Sequence, residues 1–189
     1  MTSQRRRVLN PGPKDGPGQR PAEGSGPASP GALETCDCPE LDPADWDGIE
    51  SDWSDITFVA TTVNAVAGVP VGFESARQAL FDRAAALGAT VPESPMLLIG
   101  EGRFRRPLLL EVEDVPDGAR DVVRPGGVAY TRLVHAPWGE LARAAKQLRA
   151  EAEQRYGRQP ANLYAWYLTC RICSRERNFE TLLVAHYPA

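Results

Sequence analysis

The sequence predicts an α+β domain made of two successive βαββ units. Together they would form one antiparallel sheet with two helices on one face and a central ligand cleft. The main observation is that the same order of apolar patterns, strand, helix, strand, strand, occurs twice between residues 56 and 187. A second is that residues 1–33 are rich in Pro and Gly, which separates a tail from a domain at residues 34–189.

Residues 1–33 are predicted to be a disordered tail. They are dense in Pro and Gly and have almost no large apolar side chain after Leu9. Such a segment cannot bury enough surface to offset the entropy of ordering it. Ordered structure is expected from Glu34, where Cys36 and Trp46 belong to an irregular segment that we predict to pack onto the domain.

The first βαββ unit begins with residues 56–63, whose β-branched and aromatic side chains are typical of a strand. Residues 73–87 place apolar side chains three and four apart, and Gly88 stands where a helix commonly ends. Residues 96–99 and 107–112 are apolar runs separated by a glycine-containing basic turn, which predicts a hairpin.

The second unit repeats this order. Residues 128–135 are a strand candidate, and Pro137 is placed for the first turn of a helix. An apolar stripe at helical spacing then continues to Gly157. Residues 163–169 and 181–187 supply two further strands.

Composition and charge exclude several classes of protein. The 189 residues carry a net charge of −4, and the excess of acidic side chains lies after Glu34, which argues against a nucleic-acid surface on the domain. No apolar run is long enough to cross a bilayer, and the start of the chain lacks the apolar core of a signal peptide. We therefore expect a soluble, cytoplasmic protein, whose oligomeric state the sequence does not specify.

The four cysteines are the clearest candidates for a metal site. They form two close pairs: Cys36 with Cys38, and Cys170 with Cys173. Two such pairs can complete a tetrahedral structural zinc site. A redox-active disulfide and uncoordinated thiols are the alternatives. The two histidines, His135 and His186, are not at ligand spacing with the cysteines, so a catalytic zinc is not expected.

Glu111 and Glu113 are the candidate catalytic residues. Two apart on a strand, they share the face of Leu109, while Leu108 and Leu110 take the other face. If the glutamate face lines the cleft, one carboxylate can act as a general base or orient a water molecule. If the Leu108 face packs under the helices, both carboxylates are simply solvated.

Aromatic side chains are the candidate ligand-binding residues: Tyr130, Trp138, Tyr164 and Trp166. Large rings with one polar atom suit planar, mostly apolar ligands, although core packing is the alternative for each of them. Tyr164 and Trp166 share one face of their strand. No complete nucleotide-binding loop or nucleophile elbow is present, so no organic cofactor is expected.

Residues 36–187 resemble the gyrase-inhibitor-like (GyrI-like) small-molecule-binding superfamily, in particular its stand-alone bacterial branch described as hydrolases. The residues that carry the resemblance are Cys38, Pro39, Asp42, Pro43, Trp46, Asp47, Trp53, Phe58, Pro70, Gly72 and the run from 167 to 173. The resemblance implies the duplicated βαββ fold and a cleft for hydrophobic, often cationic or reactive, small molecules. By strand order, Glu111 or Glu113, Tyr130, Trp138 and Trp166 would line it. The turn at residues 174–178 differs from the basic, glycine-containing turn usual in this branch.

The resemblance implies a choice of functions. The first is hydrolysis of a hydrophobic or reactive, electrophilic small molecule, with a cleft glutamate that activates water. The alternative is a non-catalytic protein that binds and sequesters such a molecule or modulates a partner, with the four cysteines as a structural metal clasp. A purely structural metal-clasped domain is the third possibility.

Overall fold

A computed structural model of the chain describes residues 7–10, 38–170 and 172–189, apart from the side chains of Asn10 and Trp138. Ten strands and three helices are present in these residues. The strands are β1 (Arg7–Asn10), β2 (Ile49–Asp52), β3 (Thr57–Val66), β4 (Val69–Val71), β5 (Leu97–Gly100), β6 (Arg105–Val112), β7 (Val122–Val123), β8 (Val128–His135), β9 (Asn162–Tyr167) and β10 (Glu180–Tyr187). The helices are α1 (Pro43–Trp46), α2 (Phe73–Ala86) and α3 (Trp138–Tyr156).

All strands belong to one antiparallel sheet, which confirms the α+β class. Its order is β1-β2-β8-β10-β9-β5-β6-β3-β4, with β7 paired to β3. The two halves of the chain meet where β5 pairs with β9, through Ile99 opposite Ala165 and Gly100 opposite Tyr164. Among the described residues, no helix is long and apolar enough to span a bilayer.

Side chains on the two faces of the sheet form two separate apolar clusters. One cluster contains Leu80 and Ala84 of α2 together with Leu148 and Ala152 of α3, so both long helices pack on the same face. The other cluster contains no buried residue of α2 or α3, and Trp46 and Trp53 help to cover it instead. The segment before β3 therefore takes the place of a helical layer on the second face.

Both long helices end where glycine permits a left-handed backbone. Gly88 follows the end of α2 with φ of 69°, and Gly157 caps α3 with φ of 68°. The N–H of Gly157 donates to the Glu153 carbonyl, which satisfies one of the last acceptors of the helix. Both predicted helix ends are thus within two residues of those observed.

The segment before β3 contains regular structure that the sequence pattern did not predict. Asp42 Oδ1 accepts a hydrogen bond from the N–H of Ala44 at 2.9 Å, and Pro43 opens the single turn of α1. Such a side-chain cap with a first-turn proline favours a helix start even in a very short segment. β2 follows and pairs with β8 from Ile49 opposite Thr131 to Asp52 opposite Val128.

The expectation of disorder is wrong for four residues of the predicted tail. Arg7–Asn10 forms β1 and pairs with the outer edge of β2. A sheet edge presents unpaired N–H and C=O groups, and backbone pairing there needs little apolar side-chain area. Residues 1–6 and 11–33 lie outside the described part, so disorder stays a prediction for them.

His186 is a buried polar side chain on the face opposite the long helices. Its Nε2 donates to the Gly126 carbonyl at 2.8 Å, and its Nδ1 accepts from Asn162 at 3.3 Å. The ring stacks on Trp53 with 5.2 Å between centroids. Burial lowers the pKa of His186, and the hydrogen bond to Gly126 opposes that effect only in part.

The free energy of unfolding is expected to decrease as the pH falls below about 6.5, the ordinary pKa of histidine. Because the pKa of His186 is lower in the folded state, the unfolded chain binds a proton there at pH values where the folded chain does not. Urea denaturation at pH 7.5 and pH 5.5 measures the loss. His186→Gln should reduce it, whereas His135→Gln, at an exposed position, should not. An unchanged loss in His186→Gln would contradict the assignment.

Candidate functional site

Three of the four cysteines lie together at one end of the sheet. Cys38 precedes α1, and Cys170 and Cys173 belong to the connection between β9 and β10. The three sulfur atoms all lie within 4.8 Å of one another. The predicted meeting of the two cysteine pairs is therefore present for these three, while Cys36 lies outside the described residues.

The three-cysteine cluster fits a metal ion. A tetrahedral zinc with Zn–S bonds of about 2.3 Å needs sulfur atoms roughly 3.8 Å apart, which this cluster can provide with small side-chain adjustments. The N–H of Cys170 donates to Cys38 Sγ at 3.1 Å, and the N–H of Ile172 donates to Cys170 Sγ at 3.3 Å. Hydrogen bonds of this kind favour the thiolate form that binds metal.

Arg177 ties the cluster to the strands beside it. Its guanidinium donates to the carbonyls of Pro39 at 2.7 Å, Leu168 at 3.3 Å and Cys38 at 3.4 Å, and it forms an ion pair with Glu180. Glu180 is buried at the start of β10. One side chain thus connects the Cys38 segment to Leu168, just after β9, and to Glu180 at the start of β10.

Glu111 is buried, whereas solvation is one of the two alternatives that the sequence leaves open for its face. As expected for one alternative, Leu108 and Leu110 pack beneath the helices. However, Glu111 on the opposite face is only 2% exposed. Solvation is thus excluded for Glu111, because residues before β3 cover a face that the alternative left open to water.

A small cavity of about 170 Å³ surrounds Glu111. Its wall includes Met96, Trp46 and Trp166, and the N–H of Met96 donates to Glu111 Oε2 at 3.0 Å. The two tryptophan rings meet edge to face, with 5.8 Å between centroids. We call this space the Glu111 cavity. The cavity thereby brings together the Glu111 carboxylate, two indole rings and the exposed acidic side chains of Glu40, Asp42 and Asp45.

Glu113 occupies a different environment. It is half-buried just beyond the end of β6, and its backbone pairs with Thr90 through hydrogen bonds of 2.7 and 2.8 Å. It lines neither the cavity at Glu111 nor the two larger cavities that flank the end of β9. The two candidate carboxylates therefore lie in different environments, and of these three cavities only the smallest is lined by one of them, Glu111.

The predicted ligand-binding aromatics do not form one site. Trp166 and Tyr164 pack on the face of Glu111, but only Trp166 lines its cavity. Tyr130 packs on the helical face, and its hydroxyl donates to Glu151 of α3 at 2.5 Å. Burial, followed by this hydrogen bond, raises the pKa of Tyr130. The side chain of Trp138 lies outside the described part of the structure.

Trp46, which the sequence places in the segment packed onto the domain and among the residues of the family resemblance, also lines the cavity. It is the last residue of α1, and its carbonyl accepts from Thr131 Oγ1 at 2.6 Å. The only local signal is the helix start at Asp42 and Pro43, which places Trp46 on a turn. Nothing in the sequence near Trp46 indicates that it meets Glu111 or Trp166.

Two larger cavities flank the end of β9. The α2 cavity, of about 550 Å³, lies between α2 and the end of β9, and Phe73, Phe81, Leu97 and Tyr167 are among its mostly apolar lining. It shares Pro39 and Trp166 with the Glu111 cavity. The α3 cavity, of about 750 Å³, lies beyond β9 and shares Tyr167, Thr169 and Cys170 with the α2 cavity. Burial raises the pKa of Tyr167, with Arg106 opposing, so its phenol stays protonated at neutral pH.

Comparison with known proteins agrees with a hydrolase. A family described as bacterial hydrolase matches residues 30–185, which include the three described cysteines, Glu111 and both cavity tryptophans. No curated protein and no solved structure matches the chain. Membership of the GyrI-like superfamily stays a prediction. The match over most of the chain shows that the protein belongs to the bacterial hydrolase family.

Proposed function

We propose that the protein hydrolyses a hydrophobic small molecule and that Glu111 activates the water. The observation that carries the proposal is the buried carboxylate of Glu111 in a cavity walled by Trp46 and Trp166. Burying a carboxylate is costly, and at Glu111 the hydrogen bond from the N–H of Met96 offsets part of that cost while the carboxylate still faces the cavity. The match to a bacterial hydrolase family supports a catalytic role.

Chain residues would carry out the reaction as follows. Glu111 Oε1 or Oε2 accepts a proton from water while the water oxygen forms a bond to an electrophilic carbon of the substrate. The bond from that carbon to its ring heteroatom or leaving heteroatom breaks, and the heteroatom gains the proton that Glu111 took from the water, which returns Glu111 to its carboxylate form. The N–H of Met96, bonded to Glu111 Oε2, holds the carboxylate in position. Such a step suits an ester or a strained, electrophilic ring.

The α2 cavity would hold the body of the substrate. Cavities of a few hundred cubic ångströms with aromatic and aliphatic walls suit molecules of drug size, whereas about 170 Å³ at Glu111 admits only a reactive group and a water. The two cavities lie on opposite faces of the sheet and share Pro39, Ser94 and Trp166, so the proposed substrate reaches from one to the other around the end of β9. The substrate class is therefore a mostly apolar molecule with a small electrophilic end.

The strand order supports the proposed duplication around a central cleft. In the first half the order is β3-β6-β5, and in the second half it is β9-β10-β8. When the strands of each half are numbered along the chain, their order in the sheet is one, three, two in the first half and two, three, one in the second half. A pseudo-twofold axis between β5 and β9 produces this order. The end of that seam lies next to the α2 and α3 cavities.

A structural zinc bound by Cys36, Cys38, Cys170 and Cys173 is part of the proposal. The sulfur geometry and the two N–H to sulfur hydrogen bonds support it for the three described cysteines. Zinc with four thiolates supplies a cross-link and no open position for substrate. Reduced, metal-binding cysteines also fit the cytoplasm, which we propose as the location.

Turnover is the test that separates a hydrolase from a binding protein. The purified protein would be incubated with a panel of aryl epoxides and aryl esters in water labelled with heavy oxygen, and the products analysed by mass spectrometry. We expect at least one panel member to give a labelled diol or acid. Saturable binding of the panel without any labelled product would overturn hydrolysis and favour sequestration.

A further inference from the structure

The wall of the Glu111 cavity is formed mainly by one segment. We call residues 38–46 the arm. Six of the ten residues that line the Glu111 cavity belong to it: Pro39, Glu40, Leu41, Asp42, Asp45 and Trp46. Removal of the arm would leave Glu111 open to solvent, so the enclosure of this carboxylate depends on how the arm is held.

The arm is fastened at both ends. At its far end, the carbonyl of Trp46 accepts from buried Thr131 Oγ1 at 2.6 Å. At its near end, Cys38 Sγ accepts from the N–H of Cys170 at 3.1 Å. Arg177 adds the bonds to the carbonyls of Cys38 and Pro39, so two independent groups, the cysteine cluster and one guanidinium, hold this end.

The chemistry of Arg177 suits this task better than a lysine would. Its two terminal nitrogens reach three backbone carbonyls and the Glu180 carboxylate at the same time. A planar guanidinium distributes five donors in a fixed fork, whereas an ammonium group offers three donors around one point. Two of the acceptors lie in the arm, one is the carbonyl of Leu168 just after β9, and one is the Glu180 carboxylate of β10, so the contacts bridge separate parts of the chain.

We propose that Arg177 is a positioning residue that holds the arm closed over Glu111. The catalytic consequence of this inference rests on the proposed function. The contacts between Arg177 and the arm do not depend on it. The Arg177 guanidinium donates to backbone carbonyls of the arm, which are not the atoms that would bind the metal, so it acts in parallel with the cysteine cluster. Its loss should loosen the arm while the cysteines still bind zinc.

Hydrogen exchange measured by mass spectrometry tests the proposal on the full chain. In Arg177→Lys and Arg177→Gln, amides of residues 38–48 should exchange about tenfold faster, the factor expected when hydrogen bonds to a charged donor are lost. Peptides from β8 and from residues 183–187 of β10, away from the Arg177 partner Glu180, should keep their wild-type exchange, and zinc per chain should stay unchanged. Arg143→Lys, at an exposed position on α3, is the matched control.

Activity provides the second readout. With any substrate that the panel identifies, the two Arg177 variants should lose about tenfold in kcat, because a loosened arm admits bulk water around Glu111. Unchanged exchange of residues 38–48 would overturn the positioning role. Faster exchange throughout the sheet would also overturn it, since Arg177 would then support the whole fold. If no substrate turns over, the exchange result still decides the role of Arg177, and only the proposed hydrolysis fails.

Discussion

Glu111→Gln is expected to lower kcat by about 10² to 10⁴-fold, the usual contribution of a general base. The amide has nearly the same shape, so the cavity should keep its form and the substrate Kd should change little. The lost function is proton acceptance from water, because a glutamine side chain has no carboxylate. Steady-state kinetics gives kcat, and a fluorescence titration with a substrate analogue gives Kd.

Glu113→Gln and Glu153→Gln distinguish a specific effect from a general loss of negative charge. Glu113 lies two residues after Glu111, and Glu153 is exposed on α3. Under the proposal, both variants keep kcat within a few-fold of wild type. If Glu113→Gln abolishes turnover and Glu111→Gln does not, the catalytic role belongs to Glu113. A melting temperature for each variant shows whether an inactive protein is still folded.

Local sequence patterns located most elements of the two halves correctly. The predicted helix at 73–87 corresponds to Phe73–Ala86, and the predicted strand at 128–135 corresponds to Val128–His135. These elements are long enough to show a period in their apolar side chains, and glycines mark the helix ends. By contrast, α1 and β2 have four residues each, too few for a period to be recognised.

The candidate site was harder to predict because its parts are distant in sequence. Strand alternation correctly placed Glu111 and Leu108 on opposite faces of the sheet, but it could not show what covers the face of Glu111. The cover comes from Trp46, which lies more than 60 residues before Glu111 and belongs to an element without a periodic pattern. For the same reason, strand order alone grouped Tyr130 with Trp166, although the two side chains pack on opposite faces.

The cysteines were a more favourable case, because residue type carries the chemistry without help from the fold. Two close pairs of thiols predict a shared ligand whatever lies between them. The structure brings Cys38 to Cys170 across a separation of 132 residues. This long separation is also the reason that we expect a large effect on stability when the cluster is disrupted.

Cys170→Ser and Cys173→Ser are each expected to abolish zinc binding and to lower the melting temperature by about 10 °C. A cross-link over more than a hundred residues removes roughly 4 to 5 kcal/mol of conformational entropy from the unfolded chain. For a protein of this size, each kcal/mol corresponds to about 2 to 4 °C in Tm. Metal analysis of protein purified under reducing conditions should give about one zinc per wild-type chain, and thermal unfolding with and without a chelator measures the shift.

Thr169→Ser is the matched control, since it changes the residue next to Cys170 and keeps every thiol. This variant should retain zinc and melt within a few degrees of wild type. Chelator should lower the Tm of wild type and Thr169→Ser equally and should leave the two cysteine variants unaffected, because they have no metal to lose. A metal-free wild-type protein whose Tm is the same in all variants would rule out the zinc clasp. Thiol redox chemistry between Cys38, Cys170 and Cys173, whose sulfur atoms lie within 4.8 Å of one another, would then be the next explanation to test.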